Sequence, residues 1–215
     1  MCIALKYGVW NVQNPEMNAV NALVGAGYSP LSAMVLAARG MTGPSDAKEY
    51  LDCDAPLPDP FLMTDMDLAA GRVGLAMTRG EKIAVFGDYD VDGITSTCLL
   101  TSFLRRHGAD VVSYIPGRLE EGYGLNPIAI HQLHAEGVKL IITVDCGITA
   151  VEEARLCKSL GIDLVITDHH ECKDVLPEAV AVVDPHRIDG GYPHNNLSGV
   201  GVAFKLAAAL CGSQE

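Results

Sequence analysis

The sequence predicts an α/β protein, a parallel five-stranded sheet with helices on both faces, preceded by a helical lead-in. Three observations carry this. From Lys82 onward, short β-branched runs alternate with amphipathic segments. The runs lack the polar alternation of a sheet with one wet face, as strands covered on both sides do. Acidic or imidazole side chains follow the runs, at the edge where parallel sheets bind ligands.

The lead-in is expected over residues 1–80. Apolar residues recur at helical spacing over Met17–Ala26, Ser29–Arg39 and Ser45–Leu51, with Gly27 and Gly40 as C-terminal stops and Ser45 as an N-cap. The proline-rich stretch Ala55–Pro60 interrupts them before a further helix over Met66–Thr78. The second domain, residues 81–215, reads as strands at Ile83–Phe86, Val111–Ile115, Leu140–Val144, Leu164–Thr167 and Val180–Val183. Helices are expected between and after them, at Ile94–Arg106, Pro127–Glu136, Thr149–Leu160 and Val200–Leu210.

With 49% apolar residues and 22 glycines, the 215-residue chain is globular rather than disordered or fibrous. Seven cysteines, an odd number without CxxC spacing, suggest neither a disulfide framework nor a zinc ribbon but reduced thiols in the cytoplasm. No apolar run approaches the ~18 residues of a spanning helix, and the N-terminal stretch is too short for a signal peptide, so no membrane role is expected. The net charge of −12 argues against nonspecific nucleic-acid binding by this segment as a whole, because phosphate affinity rests on Lys and Arg. Cations bound among the acids would offset part of that charge.

Four segments carry the chemistry: Asp88-Tyr-Asp-Val-Asp92-Gly93, Asp145-Cys-Gly147, Asp168-His-His-Glu171 and Asp184-Pro-His-Arg187. Hard oxygen ligands with imidazole at one sheet edge are what a divalent-metal phosphoesterase needs. Asp90 and Asp92 would emerge on one side if the strand conformation persisted, before Gly93 turns the chain into a helix capped at Thr95 or nearby. Asp145 reads either as a helix N-cap or as a carboxylate bridging two metals. His169 and His170 suit manganese or zinc, with Asp168 as an orienting acceptor. His186 and Arg187 could hold a phosphate or form a structural turn. The backbone at Ser198, Gly199 and Gly201 could cradle an anion as it enters a helix. His107, His131, His134 and His194 carry no assigned chemistry.

DYDVDG (88–93), VDCGIT (144–149), TDHHE (167–171), VDPHR (183–187) and SGVGVAFKL (198–206) together resemble the successive motifs of the DHH phosphoesterases. With SPLSAMVLAARG (29–40) and PDPFLMTDMD (58–67), the chain is most similar to the N-terminal part of RecJ-type single-strand DNA exonucleases. The resemblance implies a Rossmann-like DHH domain with a two-metal site, Mn²⁺ or Mg²⁺, that hydrolyses phosphodiester bonds. RecJ-type members act on single-stranded DNA from the 5′ end in repair and recombination. By motif position, Asp90 and Asp92 would each face one metal, Asp145 would bridge, His169 would ligate the second metal, and His170 would contact the scissile phosphate with Asp168 behind it.

Two departures stand out. Phe86 occupies a position where many members have histidine, so the first site is expected to be weaker or to recruit Asp88 or water. A further aspartate ligand, supplied in the family after the SGVGVAF helix, lies beyond Glu215, so the chain is expected to be a C-terminally truncated fragment with little activity of its own. Single-stranded DNA would be engaged through the full-length protein, with a helicase or single-strand-binding protein as partner. The competing readings are another DHH phosphodiesterase or pyrophosphatase, acting on cyclic dinucleotides or short oligonucleotides, and a noncatalytic DHH-fold replication scaffold. A haloacid-dehalogenase-type phosphatase would leave the DHH segment unexplained.

Overall fold

The computed structural model describes residues 3–5, 8–10, 14–51, 57–117, 122 and 124–212. Two compact units divide at Leu57 and Pro58. The first contains a two-stranded antiparallel pair, β1 (Ile3–Leu5) and β2 (Gly8–Trp10), which the sequence reading did not anticipate. It also contains α1 (Met17–Gly25), α2 (Pro30–Ala38) and α3 (Pro44–Leu51), whose small core is built from Val20, Leu23, Ala33, Leu36 and Ala47. Ser29 caps α2 by accepting from the Ser32 N–H, with Pro30 at the first helical position. Residues 55 and 56 of the proline-rich boundary lie outside the described residues.

The second unit is the predicted α/β layer. After a 3₁₀ turn at Pro60–Leu62 come α4 (Met66–Arg79), β3 (Ile83–Gly87), α5 (Val91–Arg106), β4 (Val111–Tyr114), α6 (Pro127–Ala135) and β5 (Leu140–Val144). The chain continues through α7 (Val151–Ser159), β6 (Asp163–Thr167), β7 (Ala181–Val183) and α8 (Gly199–Leu210). The five strands β3 to β7 are all parallel, in the order β4-β3-β5-β6-β7.

Strands β3, β5, β6 and β7 alternate between two dry faces, which is why their sequences show no polar period, whereas the edge strand β4 is partly exposed. Ile83, Val85, Ile142 and Val144 join α4, α5 and α8 in one core. Ala84, Phe86, Ile141 and Ile166 join α6 and α7 in the other. From β3 the chain runs first to β4 on one side and then to β5 on the other, so the topological switch lies at β3. The carboxyl ends of β3 and β5 flank this switch, the place where parallel sheets bind ligands.

Helix α4, read from sequence as the end of the lead-in, lies in the same compact unit as the sheet, a unit that begins at Pro58. Met66, Ala69, Val73 and Ala76 form its fully buried face in the first core. On its flank, Arg72 donates to Glu81 before β3 and to Asp163 at the start of β6, both at 2.6 Å. At its N-terminus, Asp65 ties the edge of the sheet: one carboxylate oxygen accepts from the Val182 N–H at 3.1 Å and from Arg187 Nη1 at 2.6 Å. No helix among the described residues is long and apolar enough to cross a membrane.

Removing the Asp65 carboxylate strands an edge-strand N–H and takes one partner from a mostly buried guanidinium, which keeps Asp189 and the Val182 carbonyl. Asp65→Ala is therefore expected to cost about 2 kcal/mol in urea denaturation, and Asp65→Asn clearly less.

Candidate metal centre

The site assembles at the carboxyl ends of β3, β5, β6 and β7. Strand β3 ends at Gly87, and Asp90 caps α5 by accepting from the Gly93 N–H at 2.9 Å. The helix thus starts at Val91, three residues earlier than the sequence reading placed it. Asp90 and Asp92 meet the site through this helix start rather than through strand periodicity. Glycine is required at 93 because a Cβ there would lie 2.6 Å from the Asp88 nitrogen and 2.7 Å from its carbonyl carbon. Asp145 follows β5 with φ 60°, a left-handed conformation uncommon outside glycine, and it does not cap α7, whose N-cap is Ala150.

Two groups of ligand atoms result, each within 4.8 Å: Asp88, Asp90 and Asp145, and Asp145, His169 and His170. Asp145 is common to both. His169 Nε2 lies 3.0 Å from Asp145 Oδ1 and 3.8 Å from Asp92 Oδ2, while its Nδ1 pairs with the Leu197 carbonyl at 2.9 Å. Phe86 is fully buried and stacks on Tyr114 with ring centroids 5.3 Å apart, so the oxygen-rich group contains Asp88 and no ring from position 86.

His170 is held differently from His169. Its Nδ1 donates to Asp168 Oδ1 at 2.7 Å, and this bond pushes its pKa up to about 9. Burial would raise Asp168, but donors from His170, the Ile148 N–H and the His169 N–H outweigh it and keep the carboxyl below its usual range. At neutral pH the pair is an imidazolium on a carboxylate. A cationic ring repels metal and suits an anion, so His170 fits a phosphate better than a cation.

The remaining carboxylates differ by their donors. Asp92 accepts from the Gly199 and Val200 N–H groups at 2.8 and 2.9 Å. Asp88 is raised chiefly by burial, and its Oδ1 is buried without a hydrogen-bond partner. Asp145 is pushed up to about 7 by burial and then by the charges of Asp92 and Asp90. Asp184, buried at the end of β7, is also pushed up to about 7, chiefly by burial.

The expected phosphate-binding groups are not assembled. Arg187 commits its guanidinium to Asp65, the Val182 carbonyl and Asp189, with contacts of 2.6 to 2.9 Å, so it braces the sheet edge instead. The Gly199 N–H is taken by Asp92 and the Gly201 N–H by the Ser198 hydroxyl, which fills the anion cradle expected at Ser198, Gly199 and Gly201 from within the protein. His186 lies against Asp184, its Nδ1 3.5 Å from Oδ1. Residue types gave no warning of the Leu197 carbonyl or the Ile148 N–H, because a backbone group leaves no mark in a sequence.

These ionisations set the pH dependence of stability without metal. Asp145 and Asp184 keep their protons to about pH 7 when folded but lose them near ~3.9 when unfolded. The unfolded state then binds fewer protons across that window, and stability falls as pH rises through it. The raised His170 acts in the same direction from ~6.5 to about 9. Thermal melts in chelator are expected to show a midpoint decreasing steadily from pH 5 to 8. A flat or rising midpoint would contradict these assignments.

Comparison with known proteins agrees with this architecture. The model of the DHH family, N-terminal domain, matches residues 82–215. The single-stranded-DNA-specific exonuclease RecJ of Bacillus subtilis (strain 168) is 45% identical over 205 residues, covering 94% of this chain and 26% of that protein. A crystal structure of exonuclease RecJ bound to manganese has 38% identity and a TM-score of 0.65, over 72% of this chain and 39% of its own. RecJ of Thermus thermophilus in complex with Mn²⁺ has 30% identity and a TM-score of 0.69, over 93% of this chain and 28% of its own. The chain spans about a quarter of the length of the Bacillus relative. With the match running from the first strand of the parallel sheet through its last helix, the chain belongs to the DHH family.

Proposed function

We propose that the chain is the DHH part of a metal-dependent exonuclease that hydrolyses phosphodiester bonds of single-stranded DNA from the 5′ end, in repair and recombination. The observation that carries this reading is the pair of ligand groups sharing Asp145 at the switch point of the sheet. Similarity to RecJ along nearly the whole chain supports the substrate.

The donor set fits two divalent cations, Mn²⁺ or Mg²⁺. Asp88, Asp90 and Asp145 offer only hard oxygens, whereas Asp145 and His169 add the imidazole that manganese accepts more readily than magnesium does. Asp92 keeps lone pairs beyond those its two amide donors use, and its Oδ2 faces His169, so it fits the second group. Bound there, the cations supply Lewis acidity toward phosphate and lower the pKa of water. The protein's own part is to hold these ligands rigid and to present His170, charged by Asp168, as the donor to a nonbridging phosphate oxygen.

The net charge of −12 leaves few cations to follow a DNA backbone, so these residues are proposed to supply the chemistry while the grip on the strand lies elsewhere in a longer protein. A helicase or single-strand-binding protein is the partner proposed for that setting. The cytoplasm is the compartment, in keeping with free thiols at Cys98, Cys146, Cys157, Cys172 and Cys211.

Calorimetry with Mn²⁺ tests the centre. Binding is expected in the wild-type chain, lost in Asp145→Ala and His169→Ala, and nearly unchanged in His170→Ala. Loss in the His170 variant would make that residue a ligand and overturn its assignment to phosphate. For the substrate, 5′- and 3′-labelled single strands incubated with Mn²⁺ are expected to release label slowly and from the 5′ end first.

A further inference from the structure

The run Ser198–Gly201 and its neighbour Leu197 touch the metal centre at three points without contributing a side chain to it. The Leu197 carbonyl can only accept, so His169 Nδ1 carries the proton of their 2.9 Å bond and Nε2 is turned toward Asp145 and Asp92. The first amides of α8, which have no acceptor within the helix, donate to both oxygens of Asp92. Between these contacts, α8 passes so close to Asp145 that a Cβ at Gly199 would lie 2.7 Å from both the Cβ and the Cγ of the aspartate. Groups from α5, the end of β5 and the end of β6 are thereby referenced to four consecutive backbone positions.

We propose that the turn Leu197–Val200 is the positioning element of the metal centre, that it sets the ring tautomer of His169 and the carboxylate plane of Asp92, and that Gly199 is indispensable to it. The proposal rests on the metal reading above and adds residues that are not ligands. The turn can serve as a reference because α8 is fixed in the core by Val202, Ala203, Leu206 and Ala209. Buried Lys205 in the same helix also donates to the Pro58 carbonyl at 2.6 Å. Partners that orient metal ligands in this way are typically worth about 10- to 100-fold in metal affinity.

The test compares the wild-type chain with Gly199→Ala and Gly201→Ala. A Cβ at position 201 would sit in ordinary contact with the side chains of Leu197 and Ser198, 3.4 Å away or more. Gly201→Ala is therefore expected to bind Mn²⁺ like wild type, and Gly199→Ala about 10- to 100-fold more weakly in calorimetry. Nitrogen-15 spectra of the histidine rings, recorded without metal above pH 8, read the tautomer directly. Wild type and Gly201→Ala should show His169 protonated at Nδ1, and Gly199→Ala a mixture of both forms.

Wild-type affinity in Gly199→Ala overturns the proposal. So does an Nε2-protonated His169 in the wild type, a measurement that decides the matter even if Gly199→Ala fails to fold. A wild-type chain that shows the Nδ1 tautomer yet binds no Mn²⁺ would remove the metal reading itself, and the positioning role with it.

Discussion

Crowding of like charge at one sheet edge is the constraint around which the second unit is organised. Five aspartates, at 88, 90, 92, 145 and 168, gather where three neighbouring parallel strands end, and Asp184 adds a sixth at the next. Each must be stabilised by a donor or carry a raised pKa. The fold divides them accordingly. Asp90 takes a free amide in the first turn of α5, that of Gly93, Asp92 the first two of α8, and Asp168 three backbone amides and an imidazolium. Asp88 and Asp145 are left buried and raised, and these two belong to the oxygen-rich group. Helix N-termini thus serve here to anchor internal carboxylates, which keeps the acids in place before any cation arrives.

Two oppositely built histidines follow from the same economy of donors. Adjacent in sequence, His169 and His170 hydrogen-bond through the same ring atom, Nδ1, but to different kinds of acceptor. A neutral carbonyl leaves His169 able to present a lone pair at Nε2, as a metal ligand must. A carboxylate makes His170 a cation, as a phosphate contact prefers. The division of labour comes from the second atom each ring touches and not from the ring itself.

Much of this was legible in the sequence, and for a physical reason. Strands buried on both faces must be apolar without interruption, so β3, β5, β6 and β7 stand out as short runs of Val, Ile and Leu. The acids after them stand out by contrast. What escaped depends on pairing across the chain. Arg187 looks like a phosphate ligand until Asp65, 122 residues away, is found to hold it. SGVG looks like a phosphate cradle until Asp92, 107 residues before Gly199, is found to fill it. Helix α4 looks like a lead-in helix because its apolar face reads the same whichever core receives it.

The backbone at Asp145 sets a limit on how this protein can be made more robust. A left-handed conformation costs most residues about 1–2 kcal/mol, and the carboxylate there also gives up hydration and sits among like charges. Glycine or asparagine would occupy the position with less strain and no charge. Any search for heat-resistant variants that scores folding alone is therefore drawn toward erasing the residue the two ligand groups share. Durability and chemistry compete at this one position, and the aspartate persists only where function is part of the selection.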